Sequence, residues 1–287
     1  MIGILNILKP TGMTSHDVVS SVRRTLNIKK VGHAGTLDPN VAGVIVICVG
    51  KATKFSEYLI NGDKEYICQL ILGQSTDTQD SYGRVTNAKD NFNLEIDYLK
   101  NVLNEFMGQQ IQIPPAYSAV KFKGKKLYEY ARKNIAVEKP GRPIEISELK
   151  LLKFDGKKAL LKVKCSKGTY IRTLCHDIGM KLGTYGHMGV LVRTEASGLH
   201  INNSVTLDQV KFLHTNNRIE ECLIPVEDIY KLEKVHIDSK YYKRLISGNE
   251  VYGKADKDQF YIYCRKSLIG IGRKVTENTV KIDKMLV

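Results

Sequence analysis

The sequence predicts an α+β protein with a small β-rich region at its C-terminal end. Segments of helical and strand periodicity are mixed along the chain, without the regular alternation that is typical of a doubly wound sheet. Beyond about residue 230 the pattern changes to short strands around one helix. With 287 residues, of which 43% are hydrophobic, the chain is long enough to bury a core without disulfide or metal staples.

Hydrophobic periodicity and turn residues predict the elements in order. Thr14 and Asp17 form the pattern of a capping box, with Asp in place of the usual Glu, at the start of the first helix. Asp155-Gly156 is a strong hairpin signal between two predicted strands. The predicted helices cover residues 14–26, 52–59, 96–106 and 170–182. The predicted strands cover residues 44–49, 66–72, 144–154 and 159–165.

A domain boundary is predicted near Tyr230. Beyond it, one helix at 239–247 is surrounded by strands predicted at 233–238, 259–264, 267–273 and 279–282. Residues 231–287 carry 13 positive and 7 negative side chains, a balance of +6. The expected organisation is therefore a large domain over 1–230 and a barrel-like module over 231–287.

The charge of the chain indicates a polyanionic partner. Its 44 Lys and Arg residues exceed its 30 Asp and Glu residues by 14. A membrane surface is the competing partner, but the sequence contains neither an apolar run near 18 residues nor a basic amphipathic helix at a terminus. Residues 1–10 lack the layout of a signal peptide. We therefore expect a cytoplasmic protein that does not bind membranes.

The cysteines favour a reduced, metal-free protein. None of the six forms a CxxC pair, and most lie in apolar runs. Buried thiols are therefore expected, and neither a disulfide framework nor a zinc site is predicted.

The most basic segment runs from Lys121 to Arg142. It holds eight positive and two negative side chains, a balance of +6 in 22 residues, and Tyr128 and Tyr130 lie among them. Cations interleaved with aromatic rings suit a nucleic acid, since they can bind phosphates and stack on bases. A solvated helix face is the alternative interpretation.

The stretch from Gly32 to Gly43 contains a single carboxylate, Asp38, in a turn rich in glycine. Pro39 disfavours helical geometry at Asp38, and a predicted buried strand follows at once. A lone acid held in this way suits a reactive group, although a capped surface turn has the same signature.

Five segments, in the same order along the chain, resemble those of the TruB family of pseudouridine synthases, and the tail resembles a PUA domain, an RNA-binding module. The segments are Asn6–Ser15, Gly32–Gly43, Lys64–Tyr66 with Leu72–Thr78, Pro114–Lys121 and Ser166–Thr173.

The resemblance implies a fold, an activity and a partner. The expected fold has a mixed or antiparallel central sheet flanked by helices. The expected activity is the isomerisation of the uridine at position 55, in the T-loop of transfer RNA, after that base has been flipped out. The expected partner is the T-stem-loop of tRNA, bound by a monomer that uses no cofactor and no metal.

The resemblance also implies roles for single residues. Asp38 matches the essential aspartate, Tyr66 the tyrosine against the target uracil, and Arg172 the arginine that pairs with the aspartate. The substrate-binding residues implied are His33, which takes the place of the flipped base, Tyr170 and Leu191 at the pocket, Lys9 and Pro10 in a supporting motif of unassigned role, and Lys121, Lys123, Lys125 and Lys126 in an RNA-gripping insertion at about 116–146.

The chemistry is compatible with these residue types. The reaction breaks a glycosidic C–N bond and forms a C–C bond without net oxidation, so it needs no redox cofactor. A carboxylate such as Asp38 can act as nucleophile or base, whether on the sugar, on the base or on a sugar proton. Tyr66 and Leu191 could wall a dry pocket in which the detached uracil rotates.

Two other functions fit parts of the sequence. The basic surfaces and the tail would also serve a non-catalytic RNA-binding or tRNA-folding factor. A metal-dependent hydrolase with His33 and Asp38 as ligands is the third possibility, although two ligands on one turn fall short of a metal site.

Overall fold

The computed structural model describes residues 1–118, 120–133, 135 and 137–287. None of the helices in these residues is long and apolar enough to span a lipid bilayer. The α-helices are α1 (Ser15–Leu26), α2 (Ser56–Ile60), α3 (Ile96–Glu105), α4 (Leu127–Ala131), α5 (Ile171–Lys181), α6 (Leu207–Thr215), α7 (Val226–Ile229) and α8 (Tyr242–Ile246). The strands are β1 (Gly3–Lys9), β2 (Val31–His33), β3 (Ala42–Val49), β4 (Lys64–Leu72), β5 (Gln74–Thr76), β6 (Val85–Ala88), β7 (Gly108–Gln112), β8 (Lys121–Phe122), β9 (Lys125–Lys126), β10 (Arg142–Phe154), β11 (Lys158–Cys165), β12 (Gly186–Ala196), β13 (Leu199–His200), β14 (Glu233–Ile237), β15 (Val251–Tyr252), β16 (Gln259–Cys264), β17 (Ser267–Lys274) and β18 (Thr279–Met285).

The capping box predicted for the first helix is present. The Thr14 hydroxyl accepts a hydrogen bond from the Asp17 amide across 3.0 Å, and the Asp17 carboxylate accepts one from the Thr14 amide across 2.8 Å. The helix ends at Asn27, whose φ of 52° is left-handed. Its apolar face is buried, so the interpretation from periodicity is confirmed for α1.

The hairpin predicted at Asp155-Gly156 joins β10 and β11. The Asp155 carboxylate accepts hydrogen bonds from the amides of Lys157 and Lys158 across 3.0 and 2.7 Å, and Gly156 has a φ of +97°. The two long strands pair antiparallel on either side of this turn. The prediction is confirmed because both turn residues supply what a tight hairpin requires.

Two of the predicted helices begin as 3-10 helix and continue as a short α-helix. Residues 52–59 form a 3-10 helix over Gly50–Phe55 followed by α2, and residues 239–247 form one over Ser239–Tyr241 followed by α8. In the first case, the Thr53 and Ser56 hydroxyls each bond the carbonyl three residues earlier, at 2.9 Å. Such side-chain bonds favour the tighter helix over the regular α pattern.

The described chain divides into two compact units. Unit one comprises residues 1–39, 44–60 and 202–287, and unit two comprises residues 40–43 and 61–201. In unit one, β2 pairs antiparallel with β3, and residue 4 of β1 bridges to residue 224. Unit one thus joins the N-terminal strands to the chain beyond residue 201.

Unit one also contains a five-stranded C-terminal sheet. Its strand order is β14-β16-β17-β18-β15, with β14 parallel to β16 and the other neighbours antiparallel. The sheet has its own apolar core, which includes Val235, Leu245, Phe260 and Ile262. This confirms the small β-rich region, to which the structure adds the two-residue strand β15.

Unit two is built on a sheet of order β12-β4-β11-β10-β7. Its strands pair antiparallel, while residues 42 and 43 run parallel to β12. Alternate residues of β4 are buried, and α5 packs against β12 and β4. The predicted α+β class with a mixed central sheet is therefore confirmed.

All six cysteines are unbridged, and all but Cys222 are buried. Burial raises the pKa of the Cys48 and Cys165 thiols to about 12. These two thiols are therefore poor nucleophiles at neutral pH. The prediction of buried thiols holds for five of the six, and Cys222 is partly exposed.

Candidate active site

Asp38 lies on a loop of unit one that leaves β2 after His33. The backbone at the start of this loop is held by a hydrogen bond from the Ala34 amide to the Val46 carbonyl at 2.9 Å. Ala34 and Leu37 are buried, whereas His33 and Asp38 are partly exposed. The loop therefore buries its apolar side chains and presents its carboxylate at the surface of the unit.

Lys9 anchors the end of this loop. Its side chain is fully buried, and its ammonium donates to the carbonyls of Pro10, Met13 and Pro39 at 2.8, 2.6 and 3.1 Å. The Gly12 amide also donates to the Pro39 carbonyl, at 2.9 Å. Three carbonyl oxygens satisfy the three donors of an ammonium and compensate its desolvation. The side chain of Lys9, whose role the sequence left unassigned, thus ties the backbone after Asp38 to the turn that follows β1.

Ser15 anchors the middle of the loop. Its hydroxyl accepts from the Leu37 amide at 2.8 Å and donates to the Leu37 carbonyl at 3.1 Å. The side chain is 3% exposed, so these bonds are shielded from water. Sequence reasoning missed this contact, although Ser15 follows the Thr14 cap that fixes the start of α1.

Tyr66 and Leu191 lie on neighbouring strands of unit two. Tyr66 faces Arg193 across the β4–β12 pair, and Cys68 faces Leu191. Residues opposite one another in an antiparallel pair project from the same face. Tyr66 and Leu191, each 8% exposed, therefore share one face of the sheet, as two walls of one pocket would.

Two buried cations share the face that holds Tyr66. Arg193 is 1% exposed and Lys64 is 7% exposed. Burial, reinforced by the charge of Arg193, lowers the pKa of Lys64 to about 8. The two buried positive charges on this face of the sheet favour an anionic partner over a cationic one.

Gly43 must be glycine for a steric reason. A Cβ at this position would lie 2.2 Å from the backbone oxygen of Arg193, and the φ of Gly43 is +120°. Residues 42 and 43 run beside β12 at this point. The last glycine of the Gly32–Gly43 segment thus permits close backbone approach, as its composition indicated.

Arg172 lies at the second position of α5 and is held on three sides. Its guanidinium donates to the carbonyls of Thr78 and Tyr117 at 3.2 and 3.0 Å. A carboxylate oxygen of Asp80 lies 4.0 Å from the same group, and both side chains are largely buried. This arrangement restricts the orientation of the guanidinium.

Asp80 is the carboxylate beside Arg172, and sequence reasoning missed it. Its second carboxylate oxygen accepts from the Thr78 hydroxyl at 2.6 Å and from the Tyr82 amide at 3.0 Å. Thr173, next to Arg172, donates to the Gln79 side chain at 2.8 Å. The turn around Asp80 is therefore bonded to the start of α5. The sequence feature that could have pointed to Asp80 is the polar turn directly after the matched segment, which ends at Thr78.

The basic segment begins as a hairpin of β8 and β9. Lys123 and Gly124 turn it with φ values of 46° and 84°, and Lys121, Lys123, Lys125 and Lys126 are all exposed. The ring of Tyr128 lies 5.6 Å from the Lys126 ammonium and 5.3 Å from the Arg132 guanidinium. The hairpin therefore presents cations beside aromatic rings. Residue 119 of the matched Pro114–Lys121 segment lies outside the described residues.

The described residues contain no group of three or more His, Cys, Asp or Glu side chains arranged to hold a metal ion. His33 is the last residue of β2, and Asp38 lies on the loop that follows it in unit one. Tyr170 directly precedes α5 in unit two.

Comparison with known proteins shows the family. Residues 23–171 match the family described as "TruB family pseudouridylate synthase (N terminal domain)". The chain belongs to the TruB family. Residues 172–231 match the "tRNA pseudouridylate synthase B C-terminal domain". The resemblance predicted from the five segments is confirmed, and with it the class of enzyme, a pseudouridine synthase of the TruB family.

Relatives of this TruB-family chain match nearly its whole length. The "tRNA pseudouridine synthase B" of Clostridium tetani is 42% identical over 294 residues, covering 100% of both chains. That of Alkaliphilus oremlandii is 42% identical over 281 residues, covering 95% of this chain and 93% of the relative. The "Crystal Structure of a Cbf5-Nop10-Gar1 Complex" contains a chain 27% identical to this one, with a TM-score of 0.73, covering 99% of this chain and 84% of that one.

Proposed function

We propose that this TruB-family enzyme converts the uridine at position 55, in the T-loop of transfer RNA, to pseudouridine, with Asp38 as the essential carboxylate. The observation that carries the proposal is the construction of the Asp38 loop, which Lys9 and Ser15 anchor on both sides of the acid. Relatives that match the whole chain are named as tRNA enzymes, and the net charge of +14 suits an RNA substrate.

Asp38 supplies the negatively charged group that cleavage of the glycosidic bond requires. The reaction breaks the bond from the sugar to N1 of uracil and forms one from the same sugar carbon to C5. The proton on C5 leaves, and N1 gains one. A carboxylate can act here as nucleophile or as base, and its loop holds it ready before substrate arrives.

Tyr66, Leu191 and Tyr170 are assigned to the uracil pocket. The shared face of Tyr66 and Leu191 supports this, because a detached base must rotate against apolar walls without escaping. Arg172 is assigned to the catalytic aspartate as its guanidinium partner. The fixed orientation of Arg172, set by two carbonyls and Asp80, supports that role.

RNA binding is assigned to a further set of residues. The hairpin lysines at 121, 123, 125 and 126, within an insertion at about 116–146, bind the phosphate backbone. His33 fills the place of the flipped base and so offsets part of the cost of unstacking. Residues 231–287 act as a PUA-like RNA-binding module beside a catalytic domain over 1–230. Lys9 and Pro10 support the Asp38 loop.

The test uses transfer RNA that carries tritium at C5 of uridine. The enzyme should release one tritium per tRNA molecule, and mapping should place the pseudouridine at position 55. Asp38→Asn should bind the same tRNA and release none, whereas Asp90→Asn, an exposed acid, should behave as wild type.

The basic surfaces favour one alternative, a non-catalytic RNA-binding or tRNA-folding factor. Under that alternative the wild type binds tRNA tightly without releasing tritium, and Asp38→Asn rescues cells that lack the protein. A folded wild type that binds tRNA and releases no tritium would refute the proposed chemistry. Rescue by Asp38→Asn would show that the cells depend on the binding function.

A further inference from the structure

The side chain of Gln112 is paired with the backbone of Tyr170. Its amide nitrogen donates to the Tyr170 carbonyl at 3.1 Å, and its amide oxygen accepts from the Tyr170 N–H at 2.8 Å. Gln112 is the last residue of β7 and is 5% exposed, so both bonds are shielded from water. A carboxamide is suited to this position because it is neutral and offers one donor and one acceptor side by side.

Tyr170 is the N-cap residue of α5, and its own side chain makes no capping hydrogen bond. The two bonds from Gln112 therefore hold the backbone at the point where the helix begins. Arg172 follows two residues later. The orientation of Gln112 thus affects the position from which the Arg172 side chain extends from α5.

The same segment contacts α5 a second time. Five residues after Gln112, the carbonyl of Tyr117 accepts a hydrogen bond from Arg172 at 3.0 Å. Pro114 and Pro115 lie between the two contacts and have restricted φ angles. Residues 112–117 therefore form a stiff strap, attached to the backbone of residue 170 at one end and to the side chain of residue 172 at the other.

The strap leads directly into the lysine hairpin. The Ser118 carbonyl accepts from the Tyr128 amide at 3.1 Å, and the Val120 carbonyl accepts from the Leu127 amide at 2.8 Å. These bonds hold the start of α4 against the base of the hairpin. These hydrogen bonds, together with the chain between residues 117 and 118, therefore connect the hairpin that presents the lysines to the start of α5.

We propose that Gln112 is a positioning residue for the uridine isomerisation, which sets Tyr170 and Arg172 relative to the RNA-gripping hairpin. This inference rests on the proposed function of Arg172 and Tyr170. It predicts that loss of the Gln112 pair slows turnover of bound tRNA and leaves tRNA binding nearly unchanged, because the exposed lysines remain in place.

Gln112→Glu gives the sharpest test. A carboxylate can still accept from the Tyr170 N–H, but it faces the Tyr170 carbonyl with a negative oxygen and no donor. A protonated carboxyl restores one donor and one acceptor in the geometry of the amide. Burial and the facing carbonyl raise the pKa of an introduced Glu above its usual range, so lower pH should restore the pair.

The measurement is the single-turnover rate of pseudouridine formation on saturating tRNA, expressed as a ratio to wild type at each pH. Gln112→Glu should be about tenfold slower near pH 8 and should recover most of that loss near pH 5. Gln112→Ala should be about tenfold slower at both pH values, with the tRNA Kd within about threefold of wild type. Gln109→Ala, an exposed glutamine on the same strand, should match wild type.

The outcomes separate the two proposals. A wild type that forms no pseudouridine would refute the proposed function itself. An active wild type with Gln112→Ala at full rate, or with a Gln112→Glu ratio that does not change with pH, would overturn the role of Gln112 alone. Thermal melting of each variant in the absence of tRNA, at both pH values, shows whether it is folded under each condition. A ratio that changes with pH in a variant that is folded at both values therefore does not arise from unfolding.

Discussion

The ammonium of Lys9 donates a hydrogen bond to the backbone carbonyl of Pro39, the residue after Asp38, across 3.1 Å. The same ammonium binds two carbonyls of the turn that follows β1, those of Pro10 and Met13. One buried charge therefore joins the end of the first strand to the loop of the proposed catalytic acid. Because all three partners are carbonyl oxygens, they match the three donors of an ammonium on a long side chain.

Lys9→Met should lower both stability and activity. The substitution keeps most of the buried apolar stem and removes the charged donor from three carbonyls, which should reduce the free energy of unfolding by about 2–3 kcal/mol. The loosened loop should also slow turnover of bound tRNA by about tenfold. Urea unfolding and single-turnover rates measure the two effects. Lys29→Met, at an exposed position before the same loop, should change neither. Wild-type values for Lys9→Met would refute the anchoring role.

Asp80 should control the activity through Arg172. Asp80→Asn keeps an oxygen that can accept from Thr78 and Tyr82, and it removes the charge that faces the guanidinium at 4.0 Å. We expect turnover to fall about tenfold, with little change in melting temperature, because the turn is retained. Asp80→Ala should lower the melting temperature as well, since it removes the turn bonds. An Asp80→Asn enzyme with the full rate would mean that the charge of Asp80 is unimportant to catalysis.

The hairpin lysines should govern the salt dependence of binding. Replacing Lys125 and Lys126 by Ala removes two exposed cations, and each lost phosphate contact lowers the slope of log K against log salt by about 0.7–0.9. Binding assays over a range of salt concentrations measure the slope. Rates at saturating tRNA should be unchanged. Replacing Lys157 and Lys158, an exposed pair on the β10–β11 hairpin, is the matched control. Equal slopes for the two double variants would contradict the assignment.

Asp177 should make the protein less stable above about pH 6. Burial raises the pKa of this half-buried carboxyl from 3.8 to about 6. The folded state therefore binds its proton more tightly than the unfolded state, and stability falls as pH rises from about 4 to 6. Asp177→Asn removes the charge and should raise the free energy of unfolding at pH 8 by about 1 kcal/mol. This gain is smaller than the pKa shift alone implies, because the carboxyl is partly exposed and solvent screens its charge. The gain should vanish below about pH 4.

Urea unfolding of wild type and Asp177→Asn at several pH values measures that difference. Asp90→Asn, at an exposed position, should show no comparable trend. A stability gain for Asp177→Asn that is the same at pH 4 and pH 8 would show that the carboxyl is not desolvated in the folded protein.

The elements whose signals are local were predictable from the chain. The cap of α1, the Asp155 turn and the strand predicted at 66–72 depend on neighbours a few residues apart, and all three are present in the structure. Where local hydroxyl bonds competed with helix formation, at Thr53 and Ser56, the periodicity predicted a helix that is longer than the one observed. The two-residue strand β15 is too short to carry a periodic signal.

The chain alone was enough to identify the family, to single out Asp38 as the candidate acid and to locate the basic segment Lys121–Arg142, because motifs and charge are properties of residue order. The anchoring contacts of Ser15, Asp80 and Gln112 depended on the tertiary structure. Their partners are Leu37, Arg172 and Tyr170, which are distant in sequence, and several of the partner atoms belong to the backbone. Almost every residue has a backbone carbonyl and amide. The sequence therefore does not show which of these groups a given side chain will bind. Only folding brings one such group within reach of a particular side chain.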